Sequence, residues 1–157
     1  MKRILAAVAV SLLVGCGVRP SEVTGGGEAP TGVAPGVTLY FVDADNELRP
    51  QLRATRHLGT ISEAMALLLS GPGGSGLRTE IAPIDTKRVV VTTTPGVIHL
   101  MTPLTIRDVS ALGIDQIVCT ALGVHVQAGG SRNMRVQVRF TLDTPESDEL
   151  RTCPIAG

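Results

Sequence analysis

The chain has 157 residues, 43% of them hydrophobic and 18% charged, and its 14 basic and 14 acidic side chains give a formal net charge of zero. That length suits one ordinary domain plus a tail; the charge balance excludes a basic nucleic-acid binder, and the apolar content excludes a largely disordered chain. Tyr40, Phe41 and Phe140 are the only aromatic residues, which leaves few flat faces for stacking bases or sugar rings.

Lys2 and Arg3 precede an apolar run over residues 4–14 that is broken only by Ser11. This is the length of a secretory h-region and well short of the roughly 20 residues a membrane-spanning helix needs. The run ends Leu13-Val14-Gly15-Cys16, which resembles the lipobox of bacterial lipoproteins. There a small residue, here Gly15, opens the following bond to a peptidase, and the thiol of the cysteine, here Cys16, takes diacylglycerol. Residues 1–15 are therefore expected to be a signal peptide, and Cys16 the lipidated first residue of a protein held on the extracytoplasmic face of the cell membrane. An ordinary cleaved signal with an incidental cysteine is the alternative. Two acyl chains give stable anchoring at about 0.8 kcal/mol per buried methylene.

Residues 16–36 are expected to form a flexible linker. Residues 17–36 carry six Gly and three Pro with scarcely any apolar periodicity, too little to offset chain entropy.

The folded part is expected over residues 37–157. Residues 37–42 (VTLYFV) and 48–56 (LRPQLRATR) form a predicted hairpin around the acidic turn 43–47. Asp43 and Asp45 do not make a calcium loop, because the EF-hand spacing wants Gly and Glu where Leu48 and Ala54 stand. Thr60 and Glu63 form a capping-box pair, and Gly71-Pro72 is a stop, so a helix is predicted over 60–70. Gly71, Gly73 and Gly76 match G-x-G-x-x-G, but they follow a helix and precede a strand, the reverse of the order that aims helix amides at phosphate. Ser75 lacks the Gly at 77 that a nucleophile elbow needs.

Short β-branched runs follow at 77–82, 88–94 and 97–101, the last two forming a predicted hairpin across Pro95-Gly96. Thr105 and Asp108 make another cap signature, ahead of a stripe through Ile106, Val109, Gly113, Ile117 and Ala121. A second and longer helix is predicted, running to about Ala128, with a strand over the alternating 124–128 (VHVQA) as the alternative. Residues 134–142 (MRVQVRFTL) alternate, predicting a strand whose Arg135, Gln137 and Arg139 face solvent. The order implies an α+β fold: a single domain, a mostly antiparallel sheet and two helices packed on one face.

With those elements in place the chain resembles the GerMN domain, a module of bacterial germination and sporulation proteins and of exported lipoproteins. The likeness covers roughly residues 37–142 and rests on VTLYFVD (37–43), LLLSGP (67–72), GLRTEIAP (76–83) and QIVCTA (116–121). Two departures are the cysteine at 119, aromatic in many members, and the GGSRN segment (129–133) in place of an acidic or glycine-bearing hairpin. The resemblance implies an α+β fold and a non-enzymatic role in binding or assembly at the cell envelope, and it carries over no catalytic residues.

Setting Cys16 aside leaves Cys119 and Cys153 as a pair, which suits one disulfide in an exported protein; two free thiols and a reactive or metal-binding thiol are the alternatives. His57, His99 and His125 show no metal-ligand spacing. Glu63, Glu80, Asp85, Asp108 and Asp115 could supply a hydrolase carboxylate pair, but Glu63 and Asp108 already have capping roles. No cofactor, metal, nucleotide or nucleic acid is expected. The expected partners are the membrane, through the lipid, and an envelope protein or peptidoglycan. The competing expectations are a peptidoglycan-acting enzyme, which needs converging catalytic groups, and a small-solute binder, which needs a deep apolar pocket.

Overall fold

Residues 36–155 are described by the computed structural model. The expected signal peptide with Gly15, Cys16 and the linker through residue 35 lie outside the described residues.

The first hairpin forms as its alternation requires. β1 (Gly36–Val42) pairs antiparallel with β2 (Leu48–Ala54), from Val42↔Leu48 at the turn to Gly36↔Ala54. Val37, Leu39 and Phe41 are buried on one face of β1. Asp43 organises the acidic turn: its Oδ1 accepts from the amides of Asp45 and Glu47, both at 2.9 Å, and its Oδ2 from Arg49 Nε at 2.6 Å. Asn46 takes φ +64° there, a left-handed geometry its short polar side chain tolerates.

α1 (Ile61–Leu68) starts at the capping box: Thr60 Oγ1 accepts from the Glu63 amide, and Glu63 Oε2 accepts from the Thr60 amide. Ala64, Met65 and Leu68 face the core. The predicted strand over 77–82 does not form. Its backbone is shared among three neighbours: Arg78 bridges Val42, Glu80 N–H donates to the Gln116 side chain, and Ile81 bridges Val109. No single strand runs alongside long enough to make a ladder.

β3 (Val90–Thr94) and β4 (Val97–Met101) form the second hairpin across Pro95-Gly96, with Gly96 at φ +80°. The capping pair at Thr105 closes only one turn of 3₁₀ helix (Ile106–Asp108), because Val109 is extended at φ −144°, ψ 135°. The long helix therefore starts later than its stripe predicts. α2 (Ala111–Gln127) is capped by Ser110, whose Oγ accepts from the Gly113 amide. Residues 124–127 are helical, which decides between the two alternatives for that segment.

That helix carries the chain back along the sheet, so β5 (Arg135–Arg139) lies parallel to β4, the pairing a helical crossover permits and a tight turn does not. A single turn, α3 (Pro145–Asp148), and the two-residue β6 (Leu150–Arg151), neither foreseen in the sequence, complete the fold; β6 pairs antiparallel with β5. The architecture is α+β. It has two sheets where the sequence reading has one: antiparallel β1-β2, and a mixed sheet in the order β3-β4-β5-β6. α2 packs against β1, β5 and α1. Its residues are buried almost all the way round, the signature of a helix inside a core.

Candidate functional site

Cys119, midway along α2, and Cys153, two residues beyond β6, are joined by a disulfide with a Cα–Cα distance of 4.7 Å. Both are buried. Arg151 precedes Cys153 by two residues and Asp115 precedes Cys119 by four. A helix rises about 6 Å over four residues and a strand about 6.6 Å over two. The tail therefore runs in step with the helix, placing Arg151 close enough to act electrostatically on Asp115. Burial pushes the Asp115 carboxyl up, and the Arg151 charge opposes that shift.

The disulfide is the floor of a groove of about 290 Å³. Leu122 and Val126 continue the apolar floor along α2, and the ring of Tyr40 forms one wall. Gly123 lies beside that ring: a Cβ there would stand 3.4 Å from Tyr40 Cε2, an ordinary contact distance. Thr38, Gln127 and Arg132 form the polar rim, with Gln127 Nε2 donating to Thr38 Oγ1 at 3.2 Å. Past Arg132 an adjoining depression shares Leu122, Arg132 and Cys153 with the groove and adds Arg135. No carboxylate or imidazole lines either concavity, so this surface offers hydrogen-bond donors, positive charge and apolar contact.

Tyr40 is held by its backbone. Its N–H donates to Thr120 Oγ1 and its carbonyl accepts from Gln116 Nε2, both at 3.0 Å. Gln116 and Thr120 are fully buried and lie one helical turn apart. Their side chains thus satisfy a buried strand edge that would otherwise need a third strand.

The other candidates in the sequence do not converge. Glu63 and Asp108 are occupied by the Thr60 and Thr105 caps. Glu80 pairs with Arg78 and accepts from Ser110 Oγ, and Asp85 is exposed. His99 sits on β4 between Thr94 and Gln137, at 2.8 and 2.7 Å. Gln137, expected to face solvent with its arginine neighbours, is half-buried and also donates to the Ser147 carbonyl. His57 borders a second concavity, of about 400 Å³ beside α1, whose carboxylate is the capping Glu63. His125 packs against Gly130 at the end of α2. The glycine-rich loop rests on β2, presenting the carbonyls of Gly71 and Pro72 to Arg53 and Gln51; it aims acceptors, not amides, at its neighbours. Ser75 Oγ accepts from the Leu77 amide. Among the described residues no group of three or more His, Cys, Asp or Glu could hold a metal ion, and no helix is long and apolar enough to cross a membrane.

The groove was not foreseen in the sequence. Its one local signal is Gly123, a helix-weakening residue inside an apolar helix, which lies beside a ring 83 residues earlier. No protein-family model matches the chain, and no curated protein and no solved structure matches it either.

Proposed function

We propose that this chain is a membrane-anchored extracytoplasmic lipoprotein whose GerMN-like domain is a non-enzymatic binding or scaffold module, serving sporulation, germination or cell-envelope assembly. The observation that carries the reading is the Cys119–Cys153 disulfide. Disulfides persist in oxidising compartments outside the cytoplasm, and export is what the lipobox-like Leu13-Val14-Gly15-Cys16 and the run before it call for. The groove over that disulfide, lined with donors and apolar surface, supports binding over catalysis. An envelope protein or peptidoglycan is the partner proposed, with the lipid holding the domain at the bilayer.

Mass spectrometry of the protein purified from native membranes tests the reading. The expected product begins at Cys16 and carries diacylglycerol, and Cys16→Ser moves the protein out of the membrane fraction. An intact leader, or an unmodified Cys16 thiol in membrane-derived material, overturns the lipid anchoring. Affinity capture with the lipidated protein as bait then addresses the partner, with retained peptidoglycan or an envelope protein expected.

A further inference from the structure

The groove and its neighbouring depression combine two properties that select one kind of ligand. The floor of disulfide, Leu122 and Val126, with the Tyr40 ring beside it, is apolar. The rim carries Arg132 and then Arg135 and no acidic residue. Neither guanidinium is ion-paired among the described residues, a state they share with Arg53, Arg56, Arg88 and Arg107; what sets Arg132 and Arg135 apart is their place at the rim of an apolar groove. Two guanidinium groups without a carboxylate partner among the described residues, beside an apolar surface, favour an anion, and their planar forks suit carboxylate or phosphate oxygens. The size of the groove sets the body of the ligand: about 290 Å³ lies at the lower end of small-molecule sites, which calls for a small body.

The geometry points to a small anionic amphiphile as the ligand of this groove: an apolar body lies on Leu122, Val126 and Tyr40, and a single carboxylate or phosphate head is held by Arg132 and Arg135. The inference deepens the binding role proposed above and rests on it for its setting, but not on lipid at Cys16. The body loses contact with water against the apolar floor, and the head gains charge-assisted hydrogen bonds without displacing any internal ion pair.

Tyr40 provides the readout, because it is the sole tyrosine of a chain without tryptophan. The full chain, reconstituted in phosphatidylcholine vesicles or in buffer if it proves soluble, is titrated with hexanoate, hexyl phosphate, hexanol and hexylamine while tyrosine fluorescence is followed. Saturable change is expected with at least one of the two anions, at an affinity about tenfold or more above that of hexanol, and none with hexylamine. Stronger binding of hexanoate marks a carboxylate ligand, and stronger binding of hexyl phosphate a phosphate one. In the Arg132→Gln/Arg135→Gln variant, where both replaced side chains are exposed and circular dichroism checks the fold, anion affinity is expected to fall about tenfold while hexanol is unaffected. Equal affinities for hexanol and both anions, no response to any anion, or an unchanged anion affinity in the variant overturns the inference. An unmodified Cys16 would overturn the anchoring alone and leave this titration standing.

Discussion

The side-chain amide of Gln116 donates to the carbonyl oxygen of Tyr40 across 3.0 Å, joining α2 to β1 between residues 76 apart in the chain. The same Gln116 accepts from the Glu80 amide at 2.7 Å. One fully buried side chain therefore ties the helix, the strand and the segment before the second hairpin. Gln116→Leu keeps the volume and removes both bonds, leaving the Tyr40 carbonyl and the Glu80 N–H short of a partner in the interior. The expected cost is about 2–6 kcal/mol, since each of the two groups left unsatisfied loses about 1–3 kcal/mol. Urea denaturation of the variant against the parent chain measures it; a loss below 1 kcal/mol, on the scale of a neutral surface change, would show that water takes over the role.

Gly113 sits one turn before Gln116, where α2 passes the Glu80 backbone. A Cβ added there would meet the Glu80 carbonyl oxygen at 2.3 Å and Val109 Cγ2 at 2.6 Å. Alanine is normally the better helix residue by about 1 kcal/mol, yet backbone cannot yield as a flexible side chain does. Gly113→Ala is therefore expected to destabilise by about 1–3 kcal/mol, the range of overpacked cores. A thermal melt decides the sign, and a gain in Tm would contradict the close approach.

The Cys119–Cys153 bridge closes a loop with a sequence separation of 34, worth roughly 3–4 kcal/mol on the chain-entropy estimate. The Cys119→Ala/Cys153→Ala variant is expected to unfold at lower urea by that margin. It is also expected to lose resistance of the tail after residue 150 to proteolysis, because only the two pairs Val136↔Arg151 and Gln137↔Leu150 hold β6 to its sheet. Denaturation and limited proteolysis of both proteins provide the check; equal stability would show that the bridge does not restrain the unfolded chain.

Four carboxylates, Glu63 exposed and the other three half-buried, are held below their ordinary values. The Glu47 amide, with Arg49, lowers Asp43; the Thr60 amide and hydroxyl lower Glu63; the Thr105 hydroxyl and amide lower Asp108; and the local backbone of Glu146, with the Thr144 hydroxyl, lowers Glu146. Because their folded values lie below the unfolded ones, their contribution is complete above the ordinary 3.8 for aspartate and 4.5 for glutamate and disappears as pH falls through the folded values. Asp115 runs the other way: burial raises it, so its own contribution favours the folded state as the carboxyl becomes protonated. Four groups outnumber one, and the urea midpoint is expected to fall as pH drops below about 4, with a shallower fall in Glu63→Gln. A midpoint flat from neutral pH to the acid limb would refute the capping account.

Local chemistry accounts for the elements that could be read early. The Thr60 and Glu63 cap, the Pro95-Gly96 turn and the alternation over 37–42 act between residues a few positions apart, so the order of residues alone was enough to place α1, both hairpins and β5. The α+β class follows from the same spacings. Where local signals competed, they misled: Thr105 and Asp108 are a genuine capping pair, but Val109 turns extended to bridge Ile81, and the long helix waits for Ser110. The run at 77–82 has strand composition and no strand beside it.

What no local rule supplies is which distant groups meet. The parallel match of β4 with β5, the two carboxamide bonds of Gln116, the step between Arg151 and Cys153 that follows the turns of α2, and the groove under Tyr40 all depend on burying one helix between two sheets. Hydrophobic burial has no direction and fixes no partner; directional hydrogen bonds and shape do so only once the layers are packed. Gly123 and Tyr40 become neighbours only in that packing, and neither residue names the other in the sequence.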